Sequence, residues 1–145
     1  MIVTTKPNAT RGARNRNGQA MVEFALIAII AMLILFLGIQ FALLGQAALA
    51  VGQLAYQGAR YASINPNVSS SAVTTWMQTV ASPTITKGNC LTMTVTPDQP
   101  RTFQTTVTVV VTLDPVKAGL VLLPNPFFGI NLGTKIGSTQ SAMVD

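Results

Sequence analysis

The chain has 145 residues, 49% of them apolar and only 9% charged. That length suits one domain with at most an appendage. Soluble domains carry about 25% charged residues, so the composition excludes a disordered tail, a coiled coil and a highly charged RNA-binding protein. The absence of His excludes His-based catalysis and His-containing metal sites, and the single Cys90 cannot form an internal disulfide or build a zinc site alone.

The net charge of +5 would suit a nucleic-acid partner. Its distribution argues against one. Lys6, Arg11, Arg14 and Arg16 lie in the first sixteen residues with no acid among them. From Gln19 onward five basic residues face four acids, a net +1. A basic tail just before an apolar run is first a membrane-topology signal.

Residues 1–18 are polar, basic and rich in helix breakers, and are expected to be unstructured. Residues 19–62 run without a Pro, and Phe24 to Gly58 carry no charge. A helix needs about 20 residues to cross a hydrocarbon core, and residues 21–44 satisfy this. With the cations before it, the N-terminus would stay in the cytoplasm and the remainder would cross. The helix need not stop at Leu44, because the following stretch is rich in Ala and Gln, both good helix formers. One helix of about 40 residues is expected, ending at Asn65-Pro66-Asn67.

Residues 63–145 read as a small α+β head outside the cytoplasm. Ser69-Ser70-Ser71 offers an N-cap, and Ala72, Val73, Trp76, Met77 and Val80 recur at helical spacing before Ser82-Pro83. Leu91, Met93 and Val95 then alternate with threonines, as do Val107, Val109, Val111 and Leu113. Both are strands with one buried face, with Pro97 to Pro100 as the turn between them. Ile130 to Met143 is a weaker third strand, behind a Pro- and Phe-rich loop containing Phe127-Phe128. A core of fewer than 80 residues is marginal, and packing the sheet on the C-terminal part of the long helix would enlarge it.

Glu23 is the informative residue. An unpaired acid inside a bilayer costs at least a few kcal/mol. It could sit at the headgroup level, in a first helical turn that favours an anion. Alternatively, a cut after Gly18 would give Gln19 a free α-ammonium one helical turn before Glu23, and the two charges could neutralise each other, more readily between subunits than within one.

Arg14-Asn15-Arg16-Asn17-Gly18 followed by Gln19-Ala20-Met21-Val22-Glu23-Phe24 and a long apolar helix resembles a class III prepilin signal. The form GQAMVEFALI is similar to TadE-like pseudopilins of tight-adherence (Flp) pilus systems. Gln57-Gly58-Ala59-Arg60-Tyr61-Ala62 resembles the segment ending the long helix in that family. The resemblance is strong over residues 14–62 and loose over 68–145, where the threonine- and valine-rich strands are also similar to that family, and Asn17 departs from the Lys or Arg that usually precedes the glycine. It implies a pilin-like fold and cleavage by a prepilin peptidase between Gly18 and Gln19. It also implies a role for Glu23 and Phe24 in subunit recognition. The partners implied are other pilin subunits, inner-membrane assembly proteins and membrane lipid, with no cofactor, no nucleic acid and no catalysed reaction.

Ala31, Gly38, Gly45, Gly52 and Ala59 recur every seven residues. On a helix this is a slowly winding stripe of small residues, suited to close helix packing against neighbouring subunits. Its outer portion could equally receive the protein's own sheet. A competing reading is a secretory signal cut between Ala50 and Val51, but such apolar regions run only about 7–15 residues. Cys90 reads as a small core residue, with an intermolecular disulfide in an oxidising space as the alternative; Trp76 and Met77 read as core residues, Asp98 and Asp114 as turn residues. Phe127-Phe128 reads as a lid over the core or a partner contact. The alternative function is a signal-anchored envelope protein whose head binds a ligand or surface. A membrane-tethered enzyme lacks the His and clustered acids it would need.

Overall fold

The computed structural model of the chain describes residues 11–83, 85–86, 89–125, 127 and 129–144, with side chains from Gly18 onward. In chain order it contains α1 (Arg11–Ile64), α2 (Ser70–Val80), β1 (Leu91–Thr96), β2 (Thr106–Leu113) and β3 (Ile136–Met143). Two compact units result, one reaching Gly38 and the other running from Ile39 to the C-terminus.

The first unit is helix alone. Of its described side chains, all but Leu33 and Leu37 are exposed, including Phe24, Ile29 and Ile34. Helix α1 spans 54 residues rather than about 40. The expectation that residues up to 18 are unstructured fails for 11–18, while residues 1–10 lie outside the described ones. Extending a helix costs far less than nucleating one. Residues 11–18 lack Pro and include three arginines and an alanine, so the helix propagates back through them.

The second unit is an α+β head built on the C-terminal part of α1. Its sheet is an antiparallel meander in the order β1-β2-β3, with Leu91 opposite Leu113 and Thr106 opposite Met143. Alternation decides which face is inside. Val107, Val109, Val111 and Leu113 of β2 are fully buried, while Thr108, Val110 and Thr112 lie on the other face, half-buried. They share one core with Val51, Leu54, Ala55, Ala59 and Ala62 of α1 and with Val73 and Met77 of α2. Burying each such Val, Leu or Met contributes about 1.5–3 kcal/mol, and it is α1 that lets so short a sheet bury a full row.

Helix α2 begins at the N-cap Ser69, whose hydroxyl accepts from the Ala72 N–H at 3.3 Å. It packs on α1 where Gly58 leaves room: a Cβ there would stand 2.5 Å from Met77 Sδ. One turn on, Tyr61 and Trp76 stack with centroids 4.3 Å apart and planes 7° from parallel. Helix α1 ends after Ile64, where the Asn65 side chain donates to Tyr61 O at 2.9 Å.

Two connections differ from the sequence reading. Between β1 and β2 the chain does not simply turn at Pro97–Pro100. It continues to residue 105 and tucks Arg101 into the head, with Nε donating to Pro97 O, Nη1 to Val68 O and Nη2 to Ser70 Oγ. The third strand starts at Ile136, not Ile130. Ile130 instead pairs with Phe127 across a tight turn containing Gly129 at φ +79°. The Asn131 side chain then accepts from Gly133 N, diverting the backbone from extended pairing.

Candidate functional site: the N-terminal helix

Gly18, Gln19, Val22, Glu23, Leu26 and Ile27 line one shallow open depression along α1. Helical spacing explains the grouping, since residues four apart lie one turn above each other. Gln19 and Glu23 are therefore neighbours on one face, and the Gly18–Gln19 bond borders the same face. All these side chains and Phe24 are exposed. Among the described residues a Cβ at Gly18 would meet nothing within 4 Å, so none of them requires the glycine there by packing.

The heptad stripe divides. Ala31, Gly38 and Gly45 are exposed, and among the described residues a Cβ on either glycine would meet nothing within 4 Å. Ala59 is inside the chain's own core, 1% exposed. Gly52 faces the sheet, where a Cβ would lie 4.0 Å from Ser138 Oγ. Five small residues at one spacing are thus not one lateral seam. The outer two sit against the protein's own sheet, because β3 presents small side chains, Ser138 and Ala142, on that side.

The remaining candidates are placed as follows. Cys90 is buried and donates to Ile85 O at 2.9 Å, and burial pushes its thiol pKa up. Met77 is core, and Trp76 is half-buried against Tyr61. Phe127 is half-buried in its turn, and Phe128 lies outside the described residues. Asp114 accepts from Val116 N and Lys117 N, as a turn residue does. Asp98 does more: its carboxylate accepts from Gln99 N and also from Ser70 N at the start of α2. These backbone N–H groups hold its pKa below the usual carboxylate range. Among the described residues, no group of three or more His, Cys, Asp or Glu gathers as an ion site.

Sequence reasoning missed Gln40 and Arg101. Both are buried, and each is bonded through its side chain to the backbone of a distant segment. Gln40 carried a signal, as the first polar side chain after Glu23 in an apolar run.

Residues 18–60 match the family model described as TadE-like protein. The N-terminal helix is TadE-like. The match opens on Gly18, contains Glu23 and closes on Arg60. It thus covers the exposed depression and most of the α1 face that carries the head, and it is consistent with a TadE-like protein of the Tad pilus system. The α+β head beyond Arg60 lies outside the match. No curated protein and no solved structure matches the chain.

The structure also gives a physical reason for the Gly58-Ala59-Arg60-Tyr61-Ala62 stretch within and just beyond this TadE-like segment. Gly58 admits Met77, Ala59 and Ala62 enter the core, Tyr61 stacks on Trp76, and Arg60 stays exposed. The pattern is the seat of a head on the helix.

Proposed function

We propose that this chain is a minor pseudopilin, a structural or assembly subunit of a tight-adherence (Flp-type) pilus. A prepilin peptidase cleaves it after Gly18 on the cytoplasmic side of the inner membrane. The apolar part of α1 then spans that membrane once, with the head outside. During assembly the same helix moves from lipid into a bundle of subunit helices, since both are apolar surroundings. The role is structural, and the protein is a substrate of the peptidase rather than an enzyme.

The observation that carries this reading is the TadE-like match beginning at Gly18, with Glu23 exposed on the same helical face. Glycine costs a helix about 1 kcal/mol relative to alanine, so Gly18 lowers the work of unwinding the bond to be cut. Once the cut is made, the new ammonium on Gln19 and the Glu23 carboxylate form a pair suited to an apolar environment, one from each of two neighbouring subunits. Of the heptad stripe, Ala31, Gly38 and Gly45 remain available for close packing between subunits.

The test is Glu23→Ala, expressed with its secretion system. The expected result is normal membrane insertion and normal cleavage, with loss of pilus formation and of co-purification with other pilins. Unchanged pilus formation would instead favour a membrane-anchored protein that acts independently of any filament.

A further inference from the structure

Within the head unit, α1 meets the chain between β2 and β3 at one buried polar residue. Gln40 is 0% exposed, and its amide is used at both ends. Nε2 donates to Leu120 O at 2.9 Å, and Oε1 accepts from Leu122 N at 2.8 Å. An irregular backbone segment is therefore fixed on α1 at residue 40, while Ile39 and Phe41 beside it are exposed.

This contact limits where lipid can reach. Irregular backbone exposed to lipid does not occur within the hydrocarbon region. If α1 spans a membrane, the outer edge of the hydrocarbon lies at Gln40 rather than at Leu44. Met21 precedes Gln40 by nineteen residues, which a helix covers in about 29 Å. The hydrocarbon core is about 30 Å thick, so the apolar run and the clamp agree.

The clamped segment has the chemistry of a membrane surface element. Leu122, whose N–H is held by Gln40, is 56% exposed, and Ile130 in the following turn is 60% exposed. Lys117 and Lys135 flank this stretch and are exposed, and no acid occurs from Pro115 to Lys135. Apolar side chains with lysines and no carboxylates complement the acyl boundary and the phosphates of anionic lipid. The segment is also closed on itself: the Asn125 side-chain Oδ1 accepts from Leu132 N at 3.0 Å, and a Cβ on Gly133 would contact both Asn125 and Val116.

We propose that Lys117, Leu122, Ile130 and Lys135 form an interfacial anchor lying on the outer leaflet, with Leu122 and Ile130 entering the headgroup–acyl boundary and Lys117 and Lys135 meeting lipid phosphates. The inference rests on the membrane-spanning reading of α1 and adds a second lipid contact made by the head itself.

The experiment uses the full chain carrying Cys90→Ala, with single cysteines placed in turn at Ile30, Phe103, Leu122 and Ile130. Each is nitroxide-labelled in nanodiscs of phosphatidylethanolamine and phosphatidylglycerol. Relaxation by oxygen, which partitions into lipid, is compared with relaxation by a water-soluble nickel chelate. Ile30 reports on the span, and Phe103 is an exposed residue of the β1–β2 connection. The expected result is deep lipid at Ile30, water at Phe103, and nickel accessibility at Leu122 and Ile130 at least threefold below Phe103. Leu122 and Ile130 matching Phe103 while Ile30 reads deep would overturn the anchor and leave the span standing. Water at all four positions would overturn the span and the anchor with it.

Discussion

Gln40 and Leu120 are eighty residues apart in sequence and are joined by a 2.9 Å hydrogen bond from the amide nitrogen of one to the carbonyl of the other. The other end of the same amide accepts from Leu122. Replacing Gln40 with Leu leaves a backbone carbonyl and a backbone N–H without their partner, and each such group costs about 1–3 kcal/mol when buried. Gln40→Leu is expected to destabilise the head by about 2–4 kcal/mol. Hydrogen exchange provides the check: the Leu122 amide should be protected in the native chain and exchange much faster in the variant, while amides of β2 keep most of their protection.

Three glycines of α1 should respond differently to the same substitution. Alanine favours a helix by about 1 kcal/mol over glycine. At Gly45 the new Cβ meets nothing, and at Gly52 it makes ordinary contact with Ser138. Both alanine variants are expected to raise the melting temperature in detergent. At Gly58 the Cβ stands 2.5 Å from the sulfur of the fully buried Met77. Overpacking of this kind costs about 1–3 kcal/mol, so Gly58→Ala should lower the melting temperature despite its better propensity. A rise at Gly58 equal to that at Gly52 would contradict the packing of α2 on α1.

Arg101 joins the β1–β2 connection to the segment between the two helices, through Val68 O, Ser70 Oγ and a backbone bond to Pro66 O. A lysine keeps the charge but not the planar fork that reaches these acceptors together. Arg101→Lys is expected to lose about 2–3 kcal/mol, read as a lower denaturant midpoint with an unchanged slope.

Asp98 gives the head a pH dependence of known sign. Its folded pKa is depressed by the N–H groups of Ser70 and Gln99, so the unfolded chain binds the proton more readily. The contribution to stability is present above the ordinary carboxylate pKa of about 4 and is lost as pH falls through the lower folded value. With only four acids in the chain, the effect is separable. Melting temperature measured from pH 6 down to pH 3 should fall less steeply for Asp98→Asn than for the native protein.

The long helix, the Ser69 cap, helix α2 and the two valine-threonine strands were legible in the sequence because each rests on a local period: unbroken apolarity, 3.6 or 2. What escaped it depends on contacts between distant segments. Nothing near Arg101 in sequence announces that its guanidinium closes a loop on Val68. Nothing near Gly58 says that the residue to be accommodated is Met77. The heptad stripe left two readings open for the same reason, since spacing along α1 cannot tell that Gly52 and Ala59 lie on the side of the protein's own sheet while Gly38 and Gly45 are exposed. The TadE-like motif at Gly18 and Glu23 was legible because its residues lie within two turns of one helix, where sequence order and spatial order coincide.

Cleavage after Gly18 is the step on which the proposed entry of the helix into a pilus depends. The most direct test is the N-terminal residue of the protein extracted from membranes of cells that contain its prepilin peptidase, determined by mass spectrometry. The expected chain begins at Gln19, and Gly18→Val is expected to leave the leader attached. A chain that retains residues before Gln19, or that begins at Val51, would contradict it.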